Sequence, residues 1–417
     1  MPHFFHALTL NADPAAVHLP LTFLLVFGVA KLLAEIFERL GQPGIVGEIL
    51  AGVLLGPSVL NWVRPDQMLS VLGEMGVMFL LFRVGLKVKA SELMTVGGRA
   101  LAVAAMGVVL PFLAGWVIMT LAGAARIEAI FVAAAMVATS VGITAQVLAA
   151  KGLLRERASQ IILAAAVIDD VLGLLVLAVV SSLAEASVNV WGLVTTAVLA
   201  TVFILLVARF GTPTTQRIVP WLERRPNTAA PGQTDHGTLG ETQFNVALVL
   251  LFGLSLLAVY TGLAAIIGAF LAGMALSETV NNRVQDLAQG ITELLVPFFL
   301  VGLGLRLDIG AFSTWHTLSL TAIILLAAVL SKLIGCGLGA WSLGRADALR
   351  IGVGMIPRGE VGMVVAQIGL RLGFIENSVY AVVVAMAVLT TLVAPPLLKY
   401  AYRNCVPCPE TEDFTLA

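Results

Sequence analysis

Charged residues are scarce in this chain of 417 residues. Asp, Glu, Lys and Arg together make up 12% of it and the net formal charge is −1, whereas soluble proteins contain about 25% charged residues. Apolar residues account for 59%, and the mean hydropathy is +0.99. This composition excludes a soluble globular domain and favours a helical protein that crosses the bilayer many times. We therefore expect membrane lipid around it and no nucleic acid among its partners.

Cysteine and N-terminal basic residues are also scarce. Cys405 and Cys408 form a CxxC pair that would suit a metal ion or a disulfide, but no second pair completes a metal site. We interpret these two, and Cys336, as incidental thiols and expect no cofactor. Because no Lys or Arg precedes the first apolar run, the N-terminus does not resemble a cleaved signal peptide, and we expect the first helix to be retained.

Apolar runs of about 20 residues, the length that a hydrocarbon core of about 30 Å requires, recur along the chain. They predict an all-α fold with about thirteen transmembrane helices and termini on opposite sides of the membrane. The predicted spans are 19–40, 44–60, 68–84, 96–122, 127–150, 159–183, 190–210, 244–260, 261–277, 291–305, 316–343, 346–372 and 378–400.

The distribution of Lys and Arg predicts the orientation, because basic loops resist translocation. With the N-terminus outside, sixteen of the 24 basic residues fall in inner loops or the C-terminal tail and four fall outside. This bias predicts an external N-terminus and a cytoplasmic C-terminus in the cell inner (plasma) membrane. The other four basic residues lie within predicted spans: Lys31, Arg83, Lys332 and Arg358.

Two adjacent aspartates, Asp169 and Asp170, lie in the apolar stretch AAAVIDDVLGLLV. An acid at mid-membrane costs at least about 2.5 to 3.5 kcal/mol, so carboxylates there indicate a functional site. Successive helical residues point about 100° apart, so one aspartate is expected to face a cavity and the other a neighbouring helix. Lys332 is the best-placed cation to pair with one of them. The other would hold protons or a small cation; a purely structural ion pair is the less favoured alternative.

Two predicted spans contain residues that favour unwinding, in ATSVGIT at 138–144 and GMIPRGEVG at 354–362. Unwound backbone at membrane depth must line a polar cavity, so we expect broken helices whose carbonyls, with the Thr139 and Ser140 hydroxyls, supply cation ligands. Arg358 is expected to face the C-terminal end of the half-helix before it, and Glu360 the N-terminal end of the one after it. A proline kink with back-bonded hydroxyls is the alternative.

A weak internal repeat lies on either side of a polar connector at 211–243. VGEILAGVLLG from Val46 matches IGAFLAGMALS from Ile267 at an offset of 221 residues, and FLLFRVGLKVK from Phe79 matches FFLVGLGLRLD from Phe298 at 219. Transporters are often built from two halves around a midplane site. We favour inverted repeats.

These features together resemble the monovalent cation:proton antiporter-2 family: the paired aspartates, the ATS interruption, SKLIGCGL, PRGEVG, GQPGIVGEILAGVLLGP and LVGLGLRLD. The aspartate pair resembles the NapA-like sodium/proton antiporters of that family, and the resemblance covers residues 19–400. It implies a transporter rather than an enzyme, with an NhaA/NapA-like fold of inverted repeats and two crossed broken helices. It also implies electrogenic exchange of Na⁺ or Li⁺ for H⁺ by elevator-type alternating access.

The resemblance assigns expected roles to single residues. Asp170 resembles the aspartate that binds the transported cation and the proton, and Asp169 resembles its partner, paired with Lys332. Thr139 and Ser140 fall at the first crossover of the broken helices. Arg358 and Glu360 fall at the second.

The resemblance further implies a homodimer and a division into domains. A dimerisation domain is expected at 1–92 and 243–312, and a core ion-transport domain at 93–186 and 313–402. A linker helix and cytoplasmic connector are expected at 187–242, and a cytoplasmic tail at 403–417. Kef-type potassium members often carry a soluble nucleotide-binding regulatory domain, which we do not expect here.

Other functions fit less well. K⁺/H⁺ exchange is the first alternative, because residue names do not fix the choice among cations. An ion channel would need a continuous pore, against which an intramembrane lysine argues. An intramembrane aspartyl protease needs its aspartates on different helices. A non-transporting ion sensor would share the binding chemistry.

Three further charged residues in the spans have local interpretations. Lys31 is expected to pair with Glu35, four residues on along the same helix. Arg83 stands where the family leads us to expect an apolar residue and is expected to snorkel towards the inner side. Glu48 lies either on an ion funnel or near the membrane interface.

Overall fold

The computed structural model describes residues 14–89, 95–184, 190–223, 236–403 and 405. This part of the chain contains fifteen α-helices and two short 3₁₀ turns, with no β-strand. The helices are α1 (Pro14–Arg39), α2 (Gly44–Leu55), α3 (Gln67–Leu86), α4 (Gly97–Leu121), α5 (Arg126–Ala135), α6 (Val141–Ala150), α7 (Arg157–Ala184), α8 (Val190–Glu223), α9 (His236–Tyr260), α10 (Ala265–Leu276), α11 (Asn282–Leu305), α12 (Trp315–Gly339), α13 (Arg345–Gly354), α14 (Glu360–Arg371) and α15 (Asn377–Ala401).

Within the described ranges, nine helices are long and apolar enough to cross a bilayer, namely α1, α3, α4, α7, α8, α9, α11, α12 and α15. Shorter apolar stretches of 10–17 residues lie in α2, α6, α10 and α14. The chain is therefore a multi-pass helical membrane protein, as its composition predicts.

The two predicted interruptions are confirmed. The predicted span at 127–150 is a pair of helices, α5 and α6, separated by residues 136–140, and the span at 346–372 is the pair α13 and α14, separated by 355–359. The first break contains Thr139 and Ser140, and the second contains Pro357 and Gly359, which have the low helix propensity that such a break needs. Each break leaves backbone groups at the middle of the pair to be satisfied from elsewhere.

The polar connector is shorter than predicted at 211–243. Helix α8 continues to Glu223 and α9 begins at His236, while residues 224–235 lie outside the described part of the chain. The extra turns of α8 are held by packing on α10, where the buried hydroxyl of Thr215 donates a hydrogen bond to the Ala275 carbonyl at 2.6 Å. Composition alone misses this contact because it depends on a helix 60 residues away.

Helices at the repeat offset occur in matching positions. α2 and α10 begin 221 residues apart and both contain 12 residues, and α5–α6 and α13–α14 begin 219 residues apart. Two close helix crossings follow the same offsets. A Cβ on Gly52 of α2 would lie 2.9 Å from the Gly304 Cα of α11, and one on Gly85 of α3 would lie 3.1 Å from the Gly273 Cα of α10. The relative topology of the repeats stays a prediction.

The helices pack in two groups. The scaffold group is α1–α3 with α9–α11, and the core group is α4–α7 with α12–α15. The two groups touch where α3 meets α6 and where α2 meets α15, and α8 packs on α10, α9 and α7. The predicted division into a dimerisation domain and a core ion-transport domain stays a prediction, as does dimerisation through the scaffold group.

The predicted tail lies almost wholly outside the described residues. Of the CxxC pair, Cys405 is a free thiol and Cys408 lies outside the described part. Helix α15 is anchored just before this point, since the buried Tyr402 hydroxyl lies 3.1 Å from the Ser159 hydroxyl of α7.

Candidate functional site

Asp169 and Lys332 form an ion pair in the interior of the core group. Lys332 Nζ lies 3.1 Å from Oδ1 and 3.3 Å from Oδ2 of Asp169, and both side chains are fully buried. Helix α7 contributes the acid, α12 contributes the base, and Gly107 of α4 leaves room for the ammonium group, because a Cβ there would lie 3.3 Å from Nζ. A buried charge of either sign is costly alone, so each group stabilises the charged form of the other.

Asp170 lies on a different side of α7 from Asp169. It is half-buried and lines a small cavity with residues that include Leu81, Val141 and Phe270. These three residues come from α3, α6 and α10, so the cavity lies where the scaffold group meets the core group. The two aspartates thus divide as their helical spacing predicts, one towards a neighbouring helix and one towards a cavity.

The two broken helices cross each other at their interruptions. The Ser140 backbone N–H donates to the Pro357 carbonyl at 2.8 Å. The chains approach so closely that a Cβ on Gly359 would lie 2.7 Å from both Cβ and Oγ of Ser140. Thr144, on the first turn of α6, donates its hydroxyl to the Gly354 carbonyl at the end of α13 at 2.6 Å. Each interruption therefore satisfies backbone groups of the other.

Arg358 does not face the half-helix before it, and that prediction is wrong. Its fully buried guanidinium donates from Nη1 to the carbonyls of Val137 at 2.9 Å and Ala138 at 3.2 Å, just beyond the end of α5. Nη2 donates to the Ala328 carbonyl of α12 at 3.2 Å. The crossing is the physical reason, because Thr144 already occupies the Gly354 carbonyl of α13 and the carbonyls of the other break lie within reach of Arg358.

The other predicted site residues are at or beside the crossing. Thr139 Oγ1 is buried and has no hydrogen-bond partner among the described residues, and Ser140 is half-buried. Glu360 begins α14, and its side chain lies outside the described part. In the described ranges, no group of three or more His, Cys, Asp or Glu side chains gathers to hold a metal ion. The expected role of Asp170, Thr139 and Ser140 as cation ligands stays a prediction.

Four carbonyls at or beside the breaks accept hydrogen bonds from within the protein, and the expected role of unwound carbonyls as cation ligands stays a prediction. The Val137 and Ala138 carbonyls accept from Arg358, the Pro357 carbonyl accepts from Ser140, and the Gly354 carbonyl accepts from Thr144. Sequence reasoning misses these contacts because they join segments more than 200 residues apart.

A second, larger cavity opens between the groups at the end of the molecule that carries Lys151 and Lys399. It has two adjoining parts of about 290 Å³ and 700 Å³, and Lys31, Glu48 and Gln146 line both. Of the two interpretations of Glu48, on an ion funnel or near the membrane interface, the position on a funnel therefore fits the structure.

The expected pairing of Lys31 with Glu35 is wrong. Lys31 Nζ lies 2.9 Å from Glu48 Oε1, and Glu35 instead pairs with Arg39 at 2.8 Å. Glu48 is buried on the adjacent α2, so a tertiary ion pair takes precedence over the weak helical spacing rule. Arg83 lines the same cavity and donates to Gln289 Oε1 of α11 at 3.1 Å.

Sequence reasoning also missed two buried threonines, Thr390 and Thr391 of α15. The Arg358 backbone N–H lies 3.2 Å from the Thr390 hydroxyl, and the Thr391 hydroxyl donates to the Arg358 carbonyl at 2.7 Å. The available signal was two adjacent hydroxyl residues in an otherwise apolar span.

The sequence is similar to those of known proteins over most of its length. Residues 22–401 match the family model described as "Sodium/hydrogen exchanger, transmembrane". The chain is 34% identical to the Na(+)/H(+)-K(+) antiporter GerN of Bacillus cereus, over 89% of this chain and 93% of the relative. It is 33% identical to the high-affinity Na(+)/H(+) antiporter NhaS3 of Synechocystis sp., over 92% and 90%.

A solved structure has the same fold. The sodium proton antiporter MjNhaP1 from Methanocaldococcus jannaschii superposes with a TM-score of 0.65, over 92% of this chain and 96% of that chain. The two sequences are 16% identical, so the likeness shows the fold alone.

Proposed function

The chain belongs to the sodium/hydrogen exchanger family, and on that premise we propose that it is a secondary active antiporter that exchanges Na⁺ or Li⁺ for H⁺. The relatives named above are described as antiporters. The observation that carries the proposal is the buried Lys332–Asp169 pair directly beside Asp170, which lines a cavity between the two helix groups. K⁺/H⁺ exchange is the second candidate, since the name of GerN includes K⁺.

The proposed mechanism is competition at Asp170. The carboxylate releases a proton to the cytoplasm and binds the cation, with the hydroxyl oxygens of Thr139 and Ser140 as further ligands. On the far side, protons displace the cation. Coupling arises because moving an uncompensated carboxylate through a low-dielectric barrier is costly, so the core group moves when Asp170 is neutralised by a cation or a proton. Asp169, released from Lys332, or Lys332 itself would carry a second proton and make the exchange electrogenic.

The proposed arrangement in the membrane has thirteen crossings. These are the nine long helices, the short α2 and α10, and the two broken pairs, each counted as one crossing. The N-terminus is outside and the C-terminus cytoplasmic, in the inner (plasma) membrane of the cell, which is the orientation that the loop charges favour. The cavity lined by Lys31 and Glu48 then opens to the cytoplasm.

The proposed movement is of the elevator type. The core group moves against a scaffold group that forms a homodimer, as in the NapA-like antiporters that the sequence resembles. Mostly apolar residues such as Leu81, Val141 and Phe270 surround Asp170 at the boundary of the groups, and such a surface allows sliding without breaking many ion pairs. The physiological role that follows is sodium extrusion and pH homeostasis.

Coupled flux in proteoliposomes tests the proposal. With the membrane potential clamped, addition of Na⁺ or Li⁺ to the wild type is expected to drive saturable proton movement in the opposite direction. Asp170→Asn is expected to abolish it, whereas Asp286→Asn, at an exposed position of α11, should leave it unchanged. A response to K⁺ alone would favour the second candidate. Uncoupled current would indicate a channel, and the absence of any flux would contradict transport.

A further inference from the structure

Arg358 contacts more of the structure than a helix cap requires. It is fully buried, and its guanidinium donates to the Val137, Ala138 and Ala328 carbonyls. The first two belong to the break between α5 and α6, and the third lies one turn before Lys332 on α12. The arginine therefore joins the first broken helix to the helix that carries the partner of Asp169.

The backbone of Arg358 is fixed by a third element. The Thr391 hydroxyl donates to its carbonyl at 2.7 Å, and its N–H lies 3.2 Å from the Thr390 hydroxyl. Both threonines are fully buried on α15. Helix α15 therefore fixes the backbone of Arg358, while the three carbonyls hold its guanidinium.

Resting on the proposed function, we propose that Arg358 is a positioning residue that determines which cation the Asp170 site prefers. It does so by keeping the Val137 and Ala138 carbonyl oxygens out of the cation's coordination shell. These carbonyls directly precede Thr139 in the break between α5 and α6. In transporters, unwound carbonyls of broken helices coordinate the transported ions. With both carbonyls held by Arg358, the ligands that this break offers are the hydroxyls of Thr139 and Ser140, and the Thr139 hydroxyl has no hydrogen-bond partner among the described residues.

The number and rigidity of oxygen ligands decide selectivity among hard cations. Two released carbonyls would add mobile oxygens to the site, and a larger, more adaptable shell favours K⁺ over Na⁺. The forked geometry of the guanidinium, whose N–H groups donate in several fixed directions, is essential to this role, because lysine is a compact point donor that does not reproduce these directions. The effect of the positive charge and the effect of the forked geometry can therefore be separated by substitution.

Two variants separate the effects. Arg358→Lys keeps the positive charge and loses the forked donor geometry, while Arg358→Gln loses both. We expect the ratio of Na⁺ to K⁺ binding constants to fall at least about fivefold in both variants, because both release carbonyls. We also expect the Gln variant to bind both cations more tightly than the Lys variant, because a nearby positive charge is removed.

The measurement is cation-dependent thermal stabilisation of the full chain in detergent, titrated with Na⁺ and with K⁺ at one pH. Arg350→Lys is the matched control. Arg350 lies on α13, where it contacts Asp347 at 2.9 Å and the Ala401 carbonyl at 3.4 Å. The ratio of Na⁺ to K⁺ binding constants of the Arg350→Lys variant should equal that of the wild type. A merely structural role for Arg358 would lower both constants together and leave their ratio unchanged.

Thr391→Val is a second variant for the same measurement if the arginine variants fail to fold. It removes the hydroxyl that holds the Arg358 carbonyl and is expected to lower the ratio in the same direction by a smaller factor. An unchanged ratio in Thr391→Val and in any folded Arg358 variant, with normal binding by the wild type, would overturn this inference alone. If neither cation stabilises the wild type, the proposed function fails with it.

Discussion

Two lysines inside predicted spans pair with carboxylates, and they differ in their access to water. Lys332 and Asp169 are fully buried, whereas the Lys31 side chain is 43% exposed and only its partner Glu48 is buried, at 7%. A buried ion pair contributes little net stability, but removing one partner leaves an uncompensated charge in a low dielectric. An exposed partner is instead hydrated when its pair is lost.

Lys332→Gln is therefore expected to lower the free energy of unfolding by about 3 to 5 kcal/mol, because Asp169 is left buried and alone. The double variant Asp169→Asn with Lys332→Gln should recover at least about half of that loss. Unfolding in detergent, followed by tryptophan fluorescence, measures both. Glu48→Gln is the control and should cost less than about 1 kcal/mol, since Lys31 stays hydrated. Losses that simply add in the double variant would contradict a coupled pair.

Contacts of single residues are also where prediction from the sequence is weakest. The Asp169–Asp170 pair and Lys332 stand out because charge in an apolar run is rare and costly. The partners of Lys31 and Arg358 do not stand out in the sequence, because each lies on a different element and the packing of helices determines which acceptor is within reach.

At the scale of elements, the two helix crossings at glycine pairs hold the scaffold group together. Gly304 of α11 meets α2 so closely that a Cβ would lie 2.7 Å from the Val53 nitrogen and 2.9 Å from the Gly52 Cα. Small residues at such crossings let helix backbones pack without a clash. Gly290, on the same helix, has no atom within 4 Å of the place where a Cβ would stand.

Gly304→Val is expected to destabilise the protein by about 1 to 3 kcal/mol or to abolish folding, because the two backbones must separate. Gly290→Ala, in open space on the same helix, should be neutral or stabilise the protein by up to about 1 kcal/mol through helix propensity. Melting temperatures of the two variants in detergent measure the difference. Equal melting temperatures would show that the crossing tolerates a side chain.

The helices themselves were largely predictable, and their junctions less so. The breaks at 136–140 and 355–359 follow from Ser, Thr, Gly and Pro in apolar runs, which lower the cost of unwinding. The continuation of α8 to Glu223 was not predictable, because Thr215 there is held by the Ala275 carbonyl of another helix. Local composition determines where a helix weakens, and tertiary contacts determine whether it ends.

At the scale of the whole molecule, the two ends of the bundle differ. The larger cavity, with Lys31, Glu48 and Ala150 on its walls, opens at the end that the loop charges place in the cytoplasm. A smaller groove at the opposite end includes Glu74 and Arg306. The proposed orientation therefore assigns a side of the membrane to each cavity.

Cysteine labelling tests that assignment. In a chain whose Cys336, Cys405 and Cys408 are replaced by serine or alanine, Ala150→Cys is expected to react with a membrane-impermeant thiol reagent added to the cytoplasmic side of vesicles. Glu74→Cys, on the exposed face of α3, is expected to react from the other side, since it lines the opposite groove. The reverse pattern would contradict the proposed orientation.

The central claim is that cation and proton compete for one carboxylate, Asp170, at the boundary of the two helix groups. Proton release on addition of Na⁺ or Li⁺ to the purified, weakly buffered protein tests it most directly, because the measurement needs no movement across a membrane. The wild type and Asp286→Asn are expected to release protons saturably with the cation concentration, and Asp170→Asn is expected to lose this release. Release from Asp170→Asn equal to that of the wild type would contradict competition at this residue.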